Sequence, residues 1–253
     1  MLLTGKEPAQ QLYAQIDHRI SAAATVPGLF ALYDPEDVPA GWYLRSIQRA
    51  GEAHGIPVIA HPLAEGWALP EQELGGMIVL SKTKLPVVIP EELDVDGRDP
   101  NSHHTLYVGG LNGTFPRNTP CTAESCVRLL EYYGVPIAGR HAVILSRSMT
   151  VGRPLAMLLI DRDATVTICH SKTQGLPALC CQADILVCAT GHEGLVGKDC
   201  VRPGQTLINV GGDALEEEVE PIVEHLCPFK GGVGALTTAV LLQHVTDAGI
   251  CKA

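Results

Sequence analysis

Residues 141–173 read HAVILSRSMTVGRPLAMLLIDRDATVTICHSKT, and their order decides the fold. Ala142-Val143-Ile144-Leu145 is a short apolar run that reads as a buried strand. A polar loop follows, Ser146 to Thr150, and Gly152 and Pro154 then open a helix-like segment, Leu155 to Ile160. Ala164 to Cys169, rich in β-branched residues, is the next strand. Strand, phosphate-sized loop, helix and parallel strand make the first half of a dinucleotide-binding βαβ unit.

The loop is not Gly-x-Gly-x-x-Gly, so the regular fingerprint lends no support. A strand-to-helix loop still points backbone N–H groups and the positive end of the helix dipole at an anion. A binder of NAD usually carries an Asp or Glu at the end of the second strand for the ribose 2′-hydroxyl. Here that strand ends His170-Ser171-Lys172-Thr173, and Arg147 lies in the first loop. A missing acid with cations present favours a 2′-phosphate, hence NADP over NAD. On spacing alone the other reading stays open, in which Arg147 and Lys172 are solvated loop charges.

Composition sets the bounds. At 253 residues the chain makes one large domain or two modest ones. A hydrophobic content of 46% with few aromatics suits an α/β protein with an aliphatic core. The net charge of −10 argues against a nucleic-acid surface. No apolar run reaches transmembrane length and the N-terminus lacks the apolar core of a signal peptide, so a cytoplasmic protein without membrane contact is expected. The nine cysteines have no disulfide-framework spacing, no Cys-x-x-Cys and no Cys/His spacing for zinc. Cys121 with Cys126, or Cys180 with Cys181, resemble ligand pairs, but small buried hydrophobes in a reducing cytosol are the simpler reading, and no metal is expected.

Along the chain, residues 6–24 place Ala9, Leu12, Tyr13, Ile16 and Ile20 at helical spacing. Leu29 to Tyr33 reads as a strand, Gly41 to His54 as a helix, Pro57 to Ala60 as a strand, Leu63 to Leu74 as holding a short helix, and Gly76 to Leu80 as a strand. This alternation predicts a second, smaller parallel sheet. Residues 81–120 are loop-rich and contain Asp94-Val95-Asp96-Gly97. Asp96 either binds an amino-pyrimidine edge or caps a turn; taken alone, the turn is the simpler reading. Thr122 reads as the N-cap of a helix that continues to Tyr133 and stops at Gly134. Ala183 to Gly191 is a strand ending in small residues, as a dinucleotide face needs, and Gln205 to Gly212 is a strand with a glycine turn. Lys230-Gly231-Gly232-Val233-Gly234 precedes a helix from Thr237 to Ala248, and its glycines allow a ligand close to the backbone.

These segments together resemble the bifunctional methylenetetrahydrofolate dehydrogenase / methenyltetrahydrofolate cyclohydrolase family. The residues that carry the resemblance are Pro120-Cys121-Thr122, Arg147-Ser148 with Val151-Gly152 and Pro154, Ala164 to Thr173, Ala183 to Val187, and Gly231 to Gly234. Thr4-Gly5-Lys6 and Asp94 to Gly97 also align. The resemblance implies two α/β domains with a cleft between them. An N-terminal folate and catalytic domain would span 1–118, with the C-terminal helix, about 237–253, packing back on it. A Rossmann-like NADP-binding domain would span 119–236. It implies a tetrahydrofolate derivative as substrate and a homodimer built through the nucleotide domains. It also implies cofactor contacts from Arg147, Ser148, Val151, Gly152, Ser171, Thr190, Gly191 and Thr237, and substrate contacts from Tyr43, Asp96, Gly231 and Gly232.

The departures bear on chemistry. The family's catalytic helix carries Tyr and, four residues later, Lys; here Tyr43 is present and the Lys position is Ile47. The family's Gln falls near Leu80, and its strand-end motif is replaced by Ser81-Lys82-Thr83-Lys84. Ser146 stands for a Gly, Lys230 for a Pro and Asn209 for an Asp, and the chain is shorter than the family norm after Gly212. Hydride transfer from 5,10-methylenetetrahydrofolate mostly needs positioning. Opening the methenyl product with water needs proton transfers, and Ile47 has no proton to give. The expectation is therefore an NADP-dependent dehydrogenase with weak or lost cyclohydrolase activity. The alternatives are a non-catalytic relative that binds nucleotide or folate, and a dehydrogenase switched to another one-carbon substrate.

Overall fold

The computed structural model describes residues 1–63, 67–81, 93 and 119–250. The chain divides into two compact units, Met1–Ala9 with Thr122–Thr237, and Gln10–Cys121 with Thr238–Ala253. Each contains its own parallel sheet, as the alternation of helix and strand predicts.

The first unit is built on five parallel strands: β4 (His141–Leu145), β5 (Thr165–Cys169), β6 (Ile185–Cys188), β7 (Thr206–Asn209) and β8 (His225–Cys227). The order across the sheet is β5-β4-β6-β7-β8. Ala142 to Leu145 and all of β6 and β7 are buried. Central parallel strands are covered on both faces, which is why they read as continuous apolar runs. The chain steps outward from β4 to β5 and then returns past β4 to β6. That reversal is a topological switch point, where crossover connections leave in opposite directions and open a crevice at the carboxyl ends of the strands. Helices α4 (Gly152–Ile160) and α5 (Leu176–Gln182) are the two crossovers beside it.

The start of the chain belongs to this unit, whereas the boundary expected from sequence placed 1–118 in the other one. Leu2 pairs with Leu226 in parallel, the Leu3 N–H donates to the Leu226 carbonyl at 2.8 Å, and Leu226 N–H donates to the Met1 carbonyl at 3.0 Å. This pairing covers the edge that β8 would otherwise expose. It involves too few residues to carry a strand pattern of its own.

The second unit has three parallel strands in the order β2-β1-β3, namely β1 (Gly28–Tyr33), β2 (Val58–Pro62) and β3 (Leu74–Leu80). Phe30, Leu32, Met77, Val79 and Leu93 form its buried cluster, with Trp67 packed on Phe30. Helix α1 (Lys6–Ala22) precedes the sheet and α2 (Val38–Ala53) follows β1. Helix α2 begins three residues before the expected Gly41. Asp37 caps it by accepting the Ala40 N–H at 3.2 Å, and Pro39 sits in its first turn. Its core-facing stripe is Ala40, Leu44, Ile47 and Gly51. The short helix expected within 63–74 is not formed by residues 67–73, where Pro70 disfavours helical backbone at Leu69. Helix α3 (Cys121–Tyr132) includes Thr122, which is therefore not its N-cap. The brief α6 (Glu216–Val219) precedes β8, and α7 (Val233–Ile250) starts four residues before the expected Thr237.

The eight described cysteines are all free, and seven are buried. Burial pushes the Cys180 and Cys227 thiols up to about 12 and raises Cys188 well above the usual thiol range. These side chains act as small neutral hydrophobes. Among the described residues no helix is long and apolar enough to cross a membrane, and no three His, Cys, Asp or Glu side chains converge to hold a metal.

Candidate nucleotide site

A cavity of about 370 Å³ opens at the carboxyl ends of β4, β5 and β6. This is the crevice that the strand order creates. Leu145 and the loop Ser146 to Ser148 form one side, Cys169 to Ser171 a second, and Ala189, Thr190 and His192 a third; Leu176 and Leu195 add apolar wall.

The first loop is held by its own serines. Ser148 Oγ accepts the Val151 N–H at 3.1 Å and the Gly152 N–H at 3.2 Å, so it caps the start of α4. Ser146 Oγ donates to Ser148 Oγ at 3.1 Å and accepts the Ser148 N–H at 3.3 Å. Two amides at the helix start are thus satisfied within the protein rather than left for an anion. A Cβ on Gly152 would lie 2.2 Å from the Ser146 carbonyl oxygen, so glycine is required for α4 to begin against the end of β4. Val151 and Gly152 support the loop from behind without lining the cavity.

Arg147 is exposed beside the cavity, and its guanidinium makes no ion pair with a described residue. Across from it, β5 ends in a tight turn. His170 N–H donates to Thr173 Oγ1 at 2.9 Å, Thr173 N–H donates to the His170 carbonyl at 2.8 Å, and Lys172 N–H donates to His170 Nδ1 at 3.2 Å. Ser171 faces the cavity, and among the described residues no carboxylate lines it. Cys169 is a neutral part of the wall, its thiol raised by burial.

On the third side Gly191 adopts a left-handed backbone (φ +74°) between Thr190 and His192. Arg147, Ser148, Ser171 and Thr190, four of the expected cofactor residues, therefore converge on one cavity. Thr237 does not join them: it lies in α7, buried, with its hydroxyl donating to the Val233 carbonyl at 2.9 Å. Ser146, His170, His192, Leu176 and Leu195 also line the cavity. Sequence reasoning passed over them because no motif marks a wall residue; the signal was their place just beyond the strand ends.

Gly231 and Gly232 have roles within the chain itself. The Gly231 carbonyl accepts the Gly5 N–H at 2.8 Å, and a Cβ on Gly232 would lie 2.0 Å from the Pro228 carbonyl oxygen. Asn209 replaces an acid for a visible reason. Its Nδ2 donates to Glu216 Oε1 at 2.8 Å and its Oδ1 accepts the Ala214 N–H at 3.3 Å, so an Asp would set two carboxylates together.

In the second unit, Tyr43 is half-buried on α2 and Ile47, one turn on, is 0% exposed. Leu80, at the end of β3, is buried at 3%. Asp96, with Lys82 and Lys84, lies outside the described residues.

The comparisons agree with this arrangement. Residues 120–252, more than half of the chain, match the model of the tetrahydrofolate dehydrogenase/cyclohydrolase NAD(P)-binding domain. A bifunctional protein FolD of Methanospirillum hungatei is 35% identical over 255 residues, covering 97% of this chain and 85% of that one. One from Carboxydothermus hydrogenoformans is 42% identical over 181 residues, spanning 67% of this chain and 62% of its own length. Among solved structures, a 5,10-methylenetetrahydrofolate dehydrogenase from the silkworm Bombyx mori superposes with a TM-score of 0.86 at 28% identity, covering 100% of this chain and 98% of that one. With its nucleotide crevice in place and similarity running through both units, the chain belongs to the tetrahydrofolate dehydrogenase/cyclohydrolase family.

Proposed function

We propose that this family member is an NADP-dependent methylenetetrahydrofolate dehydrogenase of one-carbon metabolism, with its cyclohydrolase step severely weakened. The observation that carries the first half is the cavity at the switch point, with Arg147 and Ser171 at its walls and, among the described residues, no carboxylate lining it. A free guanidinium pairs with a 2′-phosphate by charge-assisted hydrogen bonds. Bound NADP supplies the hydride acceptor for oxidising the folate's one-carbon bridge. The protein's own share is to seat the nucleotide between the three loops and to hold the folate against it, with Tyr43, Asp96 and the Gly231-Gly232 turn as the expected folate contacts. Neither task requires a proton carrier.

The second half rests on α2. At the position where the family carries Lys, Ile47 is fully buried in the helix's apolar stripe, and Leu80, near which the family's Gln falls, is buried too. Neither side chain relays protons, and general acid–base help of this kind is worth about a hundred- to ten-thousand-fold. The same two residues favour one rival: a relative that binds nucleotide and folate without turning them over. The compartment on this reading is the cytoplasm, in keeping with eight free cysteines. The assembly is a homodimer through the nucleotide unit, where β5 is an edge strand and Ile160 and Ile168 are exposed.

Purified protein given 5,10-methylenetetrahydrofolate and NADP is expected to form reduced nicotinamide, with slow decay of the methenyl product in the same samples. Tight binding of both ligands without turnover would establish the non-catalytic relative instead. Arg147→Ala is expected to weaken NADP about tenfold or more while NAD changes little; an equal effect on both sinks the 2′-phosphate assignment. Ile47→Lys is expected to speed methenyl hydrolysis by about tenfold or more. Thermal unfolding is followed in parallel, since the substitution buries an ammonium; no gain in folded protein means the missing Lys alone does not limit the step. Light scattering should give twice the chain mass, and the mass of one chain overturns the dimer.

A further inference from the structure

We infer that Asp213 is a positioning residue for nucleotide binding, setting the loop Ala189 to His192 from behind so that Thr190 and His192 stand at the cavity wall. The inference rests on the nucleotide-binding reading of the cavity and names how one of its walls is made. Asp213 is 0% exposed and does not line the cavity. Its carboxylate has no cation beside it among the described residues. Its partners are all in the loop: Oδ2 accepts the Thr190 N–H at 3.0 Å, and Oδ1 accepts the His192 N–H at 2.8 Å and the Thr190 hydroxyl.

The loop's amides can be accounted for one by one. Ala189 N–H donates to the Leu145 carbonyl at 3.2 Å, and those of Thr190 and His192 go to Asp213. Gly191, between them, is the loop amide without a partner among the described residues. By taking the amides on either side, the carboxylate fixes the turn in which Gly191 has positive φ. The carboxylate is itself anchored. The Asp213 carbonyl accepts the Val196 N–H at 3.1 Å, and the Leu215 N–H donates to the Val196 carbonyl at 2.9 Å. Gly211 closes the lock: a Cβ there would lie 2.6 Å from Asp213 Oδ2 and 2.8 Å from the Gly191 nitrogen, so nothing larger than glycine fits between acid and loop. Hydrogen bonds from N–H groups to a carboxylate are the stronger kind, and without the acid the amides of half-buried Thr190 and exposed His192 lose the acceptor that holds them in this turn. Removing the acid therefore moves the loop rather than leaving it in place.

The test compares Asp213→Asn and Asp213→Ala with the unaltered protein. The readouts are NADP binding by calorimetry, amide exchange at Thr190 and His192, thermal unfolding, and separate Michaelis constants for NADP and folate. Asp213→Asn keeps the shape but offers one acceptor oxygen and turns an NH₂ toward a loop N–H. The expected result is faster exchange at both amides and NADP affinity lowered by about tenfold or more, with the folate Michaelis constant within about twofold. Three results overturn the inference: unchanged NADP affinity in a folded variant, an equal loss of folate and NADP affinity, or the failure of both variants to fold. No NADP binding by the unaltered protein overturns the functional reading itself; the exchange data do not depend on it.

Discussion

The pairing of β4 with β5 on one side and β6 on the other is the constraint on which the nucleotide unit depends. All three strands run parallel, with Leu145 registered against Cys169 and against Cys188. Their carboxyl ends therefore finish at one level, and the chain leaves them in different directions. The loop after β4 turns into α4, the one after β5 makes a tight turn before α5, and the one after β6 swings to Gly191. A parallel sheet with this reversal cannot avoid leaving a crevice there, and three loops with unrelated sequences become neighbours.

Much of this was legible because buried parallel strands are long apolar runs with turn residues at their ends. Residues 141–173 yielded two strands, a loop and a helix in the right order, and Arg147 was legible as a cation beyond the first strand, whereas Ser148, Ser171 and Thr190 came from the family resemblance. What sequence does not carry is pairing at a distance. The addition of Met1 to Leu3 beside β8 leaves no local pattern, so the first residues were assigned to the wrong unit. The start of α2 was signalled by Asp37 and Pro39, but an apolar periodicity beginning at Tyr43 drew the boundary inward. Asp213 sits in a polar turn after a glycine pair, where an acid ordinarily reads as solvated; only the fold shows it fully buried against Thr190 and His192.

The family resemblance made Ile47 notable as a missing lysine. The structure adds that it belongs to the core stripe of α2 with Ala40, Leu44 and Gly51. A Lys at a position with no exposure has to reach past its neighbours to water or lose its charge, and the apolar replacement removes that cost. The apolar residue at this position supports the packing of α2, whatever chemistry the site performs. The opposite occurs at Ser146 and Asn209, where the polar side chains are held by hydrogen bonds. In the nucleotide unit the departing residues remain polar and hydrogen-bonded, whereas on α2 the departing position is apolar and buried.

The seam between Leu2 and Leu226 has a meaning for the order of assembly. Two segments more than two hundred residues apart must meet to finish one sheet. During synthesis the opening residues have no partner until nearly the whole chain has been made, and closing so long a loop is slow relative to local structure. The three-stranded sheet, by contrast, draws its strands from residues 28 to 80 and has all of them early. On the ribosome the three-stranded sheet has its strands first, while the second unit also waits for α7 and the first for its edge. Until β8 and the opening residues dock, the growing sheet ends in the open edge of β7, the kind of surface on which unfinished chains associate.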